Sequence, residues 1–157
     1  MAQNDTFTVG QILTATEMNK LPFGLCDTAG SSSTYTLTTT LTQTTGMSVT
    51  FTADDTRLYK ITYYEPQVKL GTTTGNFVTL ELRQTTVGGT QLQAALISQG
   101  STTQVVNPGM SLFIGTFANG SVTVLGCAAV SSITGTPQLV RSSTTRARII
   151  VEDCGLA

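Results

Sequence analysis

The stretch MSVTFTADDTRLYKITYY, residues 47–64, alternates apolar and polar side chains on both sides of an Asp54-Asp55 pair. Strict alternation places every second side chain on one face of a β-strand, so the pattern predicts two half-buried strands. The Asp pair predicts a turn between them, because Asp side chains bond neighbouring backbone amides. Tyr64 is expected to point outward. The predicted inward-facing residues of these and two later strands are Met47, Val49, Phe51 and Ala53; Tyr59, Ile61 and Tyr63; Val78, Leu80 and Leu82; and Ala147, Ile149 and Val151.

Turn signals separate the alternating segments along the rest of the chain. Gly88-Gly89 predicts a two-residue hairpin, Asn107-Pro108-Gly109 a turn, and Asn119-Gly120 a second hairpin. About eight to ten strands separated at this spacing are typical of an antiparallel β-sandwich or jelly roll. The sequence therefore predicts a mainly β protein.

Two segments, 31–46 and 131–145, are the richest in Ser and Thr and the least periodic. They are predicted to form exposed or partner-facing loops. The expected organisation is an N-terminal attachment or assembly segment at 1–30, followed by a β-sandwich domain at 31–157.

The N-terminal segment contains TFTVGQILTATEMNKLPFG, residues 6–24, which predicts one short helix. Thr14 and Glu17 have the spacing of a capping box, in which each side chain bonds the other residue's backbone N–H. Pro22 ends the helix because it disfavours helical geometry at the residue before it. An isolated helix this short is unstable in water, so it is expected to dock on a partner. The predicted partner-binding residues are Phe7, Ile12, Leu13, Met18, Leu21 and Phe23.

The composition limits the kinds of partner that the chain is expected to bind. The 157 residues carry a formal net charge of -1, only 11% are charged, and the 8 Lys and Arg residues are scattered. No basic patch for nucleic acid or an anionic membrane is therefore predicted. A polar, uncharged surface rich in Thr can pack against copies of itself, because burying hydroxyls costs less than burying ions. The absence of a signal peptide or a membrane-spanning run predicts synthesis in a cytosol without secretion by that route.

The inventory of reactive side chains argues against an enzyme. His is absent, and Cys26, Cys127 and Cys154 lie far apart with no C-x-x-C pair. The usual zinc sites and any Cys-His or Ser-His pair are thereby excluded. Buried thiols are preferred over a disulfide, which stays open as an alternative. Asp54-Asp55 is interpreted as a turn rather than a Ca²⁺ site, so no catalytic residue, cofactor or metal is expected.

Charged residues concentrate around the last predicted strand. The Glu152-Asp153 pair is predicted to lie on the surface at the strand end rather than to bind a metal. The nearby arginines are predicted to pair with Glu81 or Glu152 of a neighbouring subunit, with a phosphate or sugar-acid site as the alternative. These arginines are Arg141, Arg146 and Arg148.

The two ends of the chain resemble a known class of proteins. FTVGQILTATEMNKLP, residues 7–22, fits a pattern F-x-x-G-x-x-L-T-A-x-x-M-N, and RARIIVEDCG, residues 146–155, contains a V-x-D-x-G ending. Both are similar to small virion surface proteins of tailed bacteriophages, such as capsid decoration, cement, head-fibre and tail-fibre subunits. The resemblance covers about 16 residues in front and about 10 behind, counted on those two motifs.

This resemblance implies a homo-oligomeric, commonly trimeric, β-sandwich on the outer surface of a virion, attached by its N-terminal segment. The implied partners are copies of the chain and the major capsid or tail proteins. The expected function is that of a non-enzymatic decoration, cement or short-fibre subunit. The alternative is a host-recognition adhesin whose loops contact cell-surface glycan, and no signal in the sequence separates the two.

Overall fold

Ten β-strands carry the fold in the computed structural model, which describes residues 18, 21–72, 74–98 and 106–157. Nowhere in that part of the chain is there a helix long and apolar enough to cross a membrane. The strands are β1 Gly24–Ser31, β2 Tyr35–Thr36, β3 Thr42–Ala53, β4 Arg57–Lys69, β5 Phe77–Gln84, β6 Gln91–Ser98, β7 Val106–Gly115, β8 Gly120–Val130, β9 Gln138–Leu139 and β10 Ala147–Leu156.

The strands form two antiparallel sheets that face each other. One sheet has the order β1-β10-β4-β9-β2, with β7 also paired to β4, and the other has the order β3-β8-β5-β6. Successive long strands cross between the sheets, since β3 and β4 lie in different sheets, as do β6 and β7, and β7 and β8. The predicted antiparallel β-sandwich of jelly-roll type is confirmed.

The core lies between the sheets and consists of the side chains that the alternation predicted. Every predicted inward-facing residue from the four segments is at most 6% exposed. Aromatic side chains fill one end, where Phe51 and Tyr59 have ring centroids 5.1 Å apart and both lie against Phe117. Tyr64 is 38% exposed on the opposite face of β4, as predicted.

Three turn predictions need correction. The hairpin of β5 and β6 exists, but its loop spans 85–90 instead of the two residues Gly88-Gly89. Asn107-Pro108-Gly109 lies within β7, where the β4–β7 register shifts between Glu65 and Val68. Pro108 is tolerated there because a bulge interrupts the ladder that its missing N–H cannot join. Asn119-Gly120 connects two sheets and forms no hairpin, since β7 pairs with β4, and β8 pairs with β3 and β5.

The segments predicted as loops contribute to the core. Residues 31–46 and 131–145 contain β2 and β9, which pair with each other through Tyr35 and Leu139. Leu37 and Leu139 are 2% and 0% exposed. Buried positions therefore occur in these segments although their sequence does not alternate. The structure also places β1, from the predicted N-terminal segment, at the edge of the sheet beside β10.

Candidate attachment and binding sites

Three of the six residues predicted to bind a partner are described by the structure, and all three are exposed. Met18, Leu21 and Phe23 expose 54%, 41% and 64% of their surface. The Leu21 N–H donates to the Met18 carbonyl at 3.1 Å, which closes one turn. The capping box and the remaining predicted partner-binding residues, Phe7, Ile12 and Leu13, lie outside the described residues.

Arg57, the first residue of β4, holds this segment against the sandwich. Its Nη2 donates to the Leu21 carbonyl at 2.7 Å, and its guanidinium lies 3.7 Å from the ring centroid of Phe23. Residues 21–23 are therefore fixed at the end of β4, by a charge-assisted hydrogen bond and a cation–π contact.

Asp153 of β10 completes this contact. Arg57 Nε donates to Asp153 Oδ2, and Arg57 Nη2 donates to Oδ1 at 2.7 Å. The same carboxylate accepts the Gly155 N–H at 2.8 Å and, at the longer distance of 3.5 Å, the Phe23 N–H. We call these residues, Leu21, Phe23, Arg57 and Asp153, the N-terminal joint.

The charges of the N-terminal joint stabilise each other. Burial alone raises the pKa of Asp153, but the hydrogen bonds from Arg57 and from the Gly155 and Phe23 amides outweigh it and lower that pKa. The hydrogen bond to Asp153 raises the pKa of Arg57. Both side chains are almost fully buried, at 6% and 2% exposure, so the prediction of Asp153 as a surface residue was wrong.

The sequence contains a signal for this joint in the phase of two strands. Asp153 continues the inward phase of Ala147, Ile149 and Val151, and Arg57 precedes Tyr59 in the inward phase of β4. Two opposite charges that both occupy inward positions can be buried only as a pair. An acidic and a basic residue in the apolar phase of two strands therefore predict a buried ion pair.

A row of apolar side chains lies on the outer face of the six-stranded sheet. Met110, Leu112 and Ile114 of β7 are 55%, 39% and 56% exposed, and alternation along β7 points them away from the core. We call them the outer row. Their cross-strand partners on β4 are Tyr64, Thr62 and Lys60.

Paired charges lie beside the Ile114 end of the outer row, whereas Arg148 lies beyond Tyr64 at the Met110 end. Lys60 donates to Glu152 of β10 at 2.7 Å, across the centre of the same outer face. A copy of the chain that covered Ile114 would therefore meet a paired charge on β4 and β10. The outer row is thus a group of three neighbouring apolar side chains exposed on one strand.

The three arginines predicted to act together are separated by the structure. Arg141 is fully buried, where Nε and Nη2 donate to Glu65, and its Nη1 donates to the Thr45 carbonyl at 3.0 Å. The predicted intersubunit partners are occupied within the chain, because Glu81 pairs with Arg83 at 2.6 Å and Glu152 with Lys60.

Arg146 and Arg148 are exposed and face a groove of about 310 Å³ beside β4. We call it the arginine groove. Its remaining lining residues are Tyr64, Pro66, Ser143, Thr144 and Thr145.

The structure places the candidate metal ligands and the three cysteines as follows. No group of three or more His, Cys, Asp or Glu residues able to hold a metal ion occurs in that part of the chain. Asp54 Oδ1 accepts the Thr56 N–H at 2.9 Å, so the Asp54-Asp55 pair forms the predicted turn. All three cysteines are free: Cys127 is buried, which raises its pKa to about 11, whereas Cys26 and Cys154 are exposed rather than in the core.

Comparison with known proteins identifies no family for this chain. No protein-family model matches the sequence, and no curated protein does so either. Eiger TNF from S. frugiperda is 11% identical over 85% of this chain and 95% of its own, with a TM-score of 0.41. A chain from the infectious bursal disease virus Gx strain is 9% identical over 87% of this chain and 38% of its own, with a TM-score of 0.31.

A third similar structure, dimeric latent PorU from Porphyromonas gingivalis, is 10% identical over 85% of this chain, with a TM-score of 0.36. This chain spans 13% of that protein's length. The neighbours thus include a viral chain and a TNF chain, and at similarities this low no argument about function rests on them.

Proposed function

We propose that the chain is a non-enzymatic structural protein of a phage virion, a homotrimeric decoration, cement or short-fibre subunit attached by its N-terminal segment. The observation that carries this proposal is the outer row, an exposed apolar strand face whose Ile114 end lies beside the paired charges of Lys60 and Glu152. A second copy of the chain is its proposed occupant, because paired charges and a surface rich in Thr favour packing between copies. The assignment to a phage particle rests on the resemblance of the two chain ends to phage virion proteins.

The N-terminal joint supports attachment through the preceding segment. It holds Leu21 and Phe23 in place while leaving them exposed, at one end of the sandwich. A segment fixed at its base loses less conformational freedom when it binds, which favours docking. Many copies that bind only the assembled lattice then stabilise that lattice by mass action.

Oligomerisation is tested by native mass spectrometry of the whole chain and two variants. Ile114→Asp places a charge in the outer row and is expected to convert trimers into monomers, because a buried unpaired carboxylate is costly. Leu96→Asp is the matched control, since Leu96 is 68% exposed on the other sheet. A monomeric parent chain, or equal disruption by Leu96→Asp, would overturn the proposed interface.

Attachment is tested on virions of the phage that encodes the chain. A variant lacking residues 2–20 retains the N-terminal joint and β1 and is expected to trimerise but to leave the particles. Full occupancy by this variant would disprove the role of the N-terminal segment.

A second candidate is recognition of a glycan on the host cell. It is favoured by the arginine groove, which lies towards the opposite end of β4 from the N-terminal joint.

A further inference from the structure

The arginine groove combines positive charge with an aromatic surface and hydroxyl groups. Arg148 lies directly across from Tyr64 in the β10–β4 register, and Arg146 precedes it by two residues. Both arginines also line a second recess of about 130 Å³ beside Thr28, Ala29 and Gly30. Two adjacent recesses are therefore lined by the same two arginines.

The positive charge of the groove is not neutralised within the described part of the chain. The four ion pairs found there use Glu65, Glu81, Glu152 and Asp153, and none includes Arg146 or Arg148. Asp27 is also engaged, because it accepts the backbone amides of Thr28 and Thr50. The two guanidinium groups are thus available to an external anion.

The hydroxyl side of the groove is ordered before any ligand binds. The Ser142 N–H donates to the Thr145 carbonyl at 2.9 Å, and the Thr145 N–H donates to Ser142 Oγ at 3.0 Å. The preceding residue, Arg141, is held by its buried pair with Glu65. A pre-organised loop lowers the entropic cost of binding.

We propose that the arginine groove binds the anionic group of an acidic saccharide. A guanidinium binds a carboxylate or phosphate through two parallel hydrogen bonds, which a neutral sugar cannot accept with comparable strength. The Tyr64 ring offers an apolar face to the sugar ring, and Ser143, Thr144 and Thr145 offer hydroxyl partners. A groove of about 310 Å³ is at the lower end of the size range of small-ligand sites.

The position of the groove fits recognition at a distance from the attachment point. Arg57 and Tyr64 are seven residues apart on β4, roughly 23 Å at about 3.3 Å per residue. If the N-terminal joint faces the particle, the groove lies at this distance along β4 from the attachment point. The inference rests on the second function proposed above.

Isothermal titration calorimetry of the whole chain tests the site with glucuronic acid, glucose 6-phosphate and glucose. Glucuronic acid is expected to bind and glucose is not, while Arg148→Ala and Arg146→Ala each weaken glucuronic acid binding roughly tenfold or more. Arg148→Lys is expected to recover only part of this loss, because Lys keeps the charge without the planar fork. Binding of glucose 6-phosphate as well would extend the source of the anion to sugar phosphates.

Lys69→Gln is the matched control, since it removes a positive charge from β4 outside the groove lining and should leave binding unchanged. Three results would overturn the site: no binding of either anion, equal binding of glucose, or an equal effect of Lys69→Gln. Native mass spectrometry of the same samples separates the two proposals. A trimer that binds neither anion would contradict the proposed saccharide site and leave the proposed trimer standing.

Discussion

Two buried arginine–carboxylate pairs lie towards opposite ends of β4, and their surroundings differ. Glu65 and Arg141 are completely enclosed, and Glu65 also accepts the Tyr63 hydroxyl at 2.6 Å. That hydroxyl lies 3.0 Å from Thr44 Oγ1, so the network joins both sheets. Burial and the nearby Glu65 charge raise the pKa of Tyr63 well above its ordinary value, which keeps it a neutral donor.

The pair of Arg57 and Asp153 reaches outward instead. Its partners include the Leu21 carbonyl, the Phe23 amide and the Phe23 ring, all from the segment that precedes β1. The same chemistry thus has two uses. One pair stabilises the sandwich itself, and the other holds a neighbouring segment against it. Removing the first should therefore lower the stability of the whole sandwich, whereas removing the second should loosen that segment.

The largest effect is expected at the enclosed pair. Arg141→Met leaves the Glu65 carboxylate buried without its cation and should lower the free energy of unfolding by about 3–5 kcal/mol. Urea denaturation measures this loss, which should affect the whole sandwich in a single transition.

The double variant Arg141→Met, Glu65→Met is the control. Replacing both charges with apolar side chains should restore much of the lost stability, because no isolated charge then remains buried. If the double variant is no more stable than Arg141→Met, the cost arises from packing and not from the unpaired carboxylate.

An intermediate effect is expected at the N-terminal joint. Asp153→Asn keeps the shape of the side chain but removes its charge, and should cost about 1.5–3 kcal/mol, the usual contribution of a hydrogen bond to a charged group. Amide hydrogen exchange should accelerate first at Phe23 and Gly155, whose N–H groups bond this carboxylate. Uniform acceleration across β3 and β8 would contradict a local role.

The pH dependence sharpens the same prediction. The folded structure lowers the pKa of Asp153, so its stabilisation is complete above the ordinary carboxyl pKa of about 3.9 and is lost as the pH falls through the lowered value. The stability difference between the parent chain and Asp153→Asn should therefore be constant near neutral pH and should shrink in acid. If the stability difference grew in acid instead, the fold would raise the pKa of Asp153 and not lower it.

How far the sequence predicted these regions depends on the range of the interactions. Alternation along single strands located the core, because every second side chain of a strand faces the core and is apolar. It did not reveal that Asp153 meets Arg57 or that Glu65 meets Arg141, since those contacts depend on which strands become neighbours. The arginine cluster illustrates this limit, because Arg141 is enclosed whereas Arg146 and Arg148 face solvent.

The smallest effect concerns the ring of Phe23. Phe23→Leu keeps an apolar side chain and removes the cation–π contact with Arg57, which is worth about 0.5–1 kcal/mol at an exposed site. Hydrogen exchange at residue 23 and Gly155 should increase slightly, and global stability should hardly change. If Phe23→Leu loosened the joint as much as Asp153→Asn, packing of the ring would hold the segment. The charges of Arg57 and Asp153 would then not be what fixes the N-terminal segment. Only the enclosed pair of Glu65 and Arg141 would act through its charge.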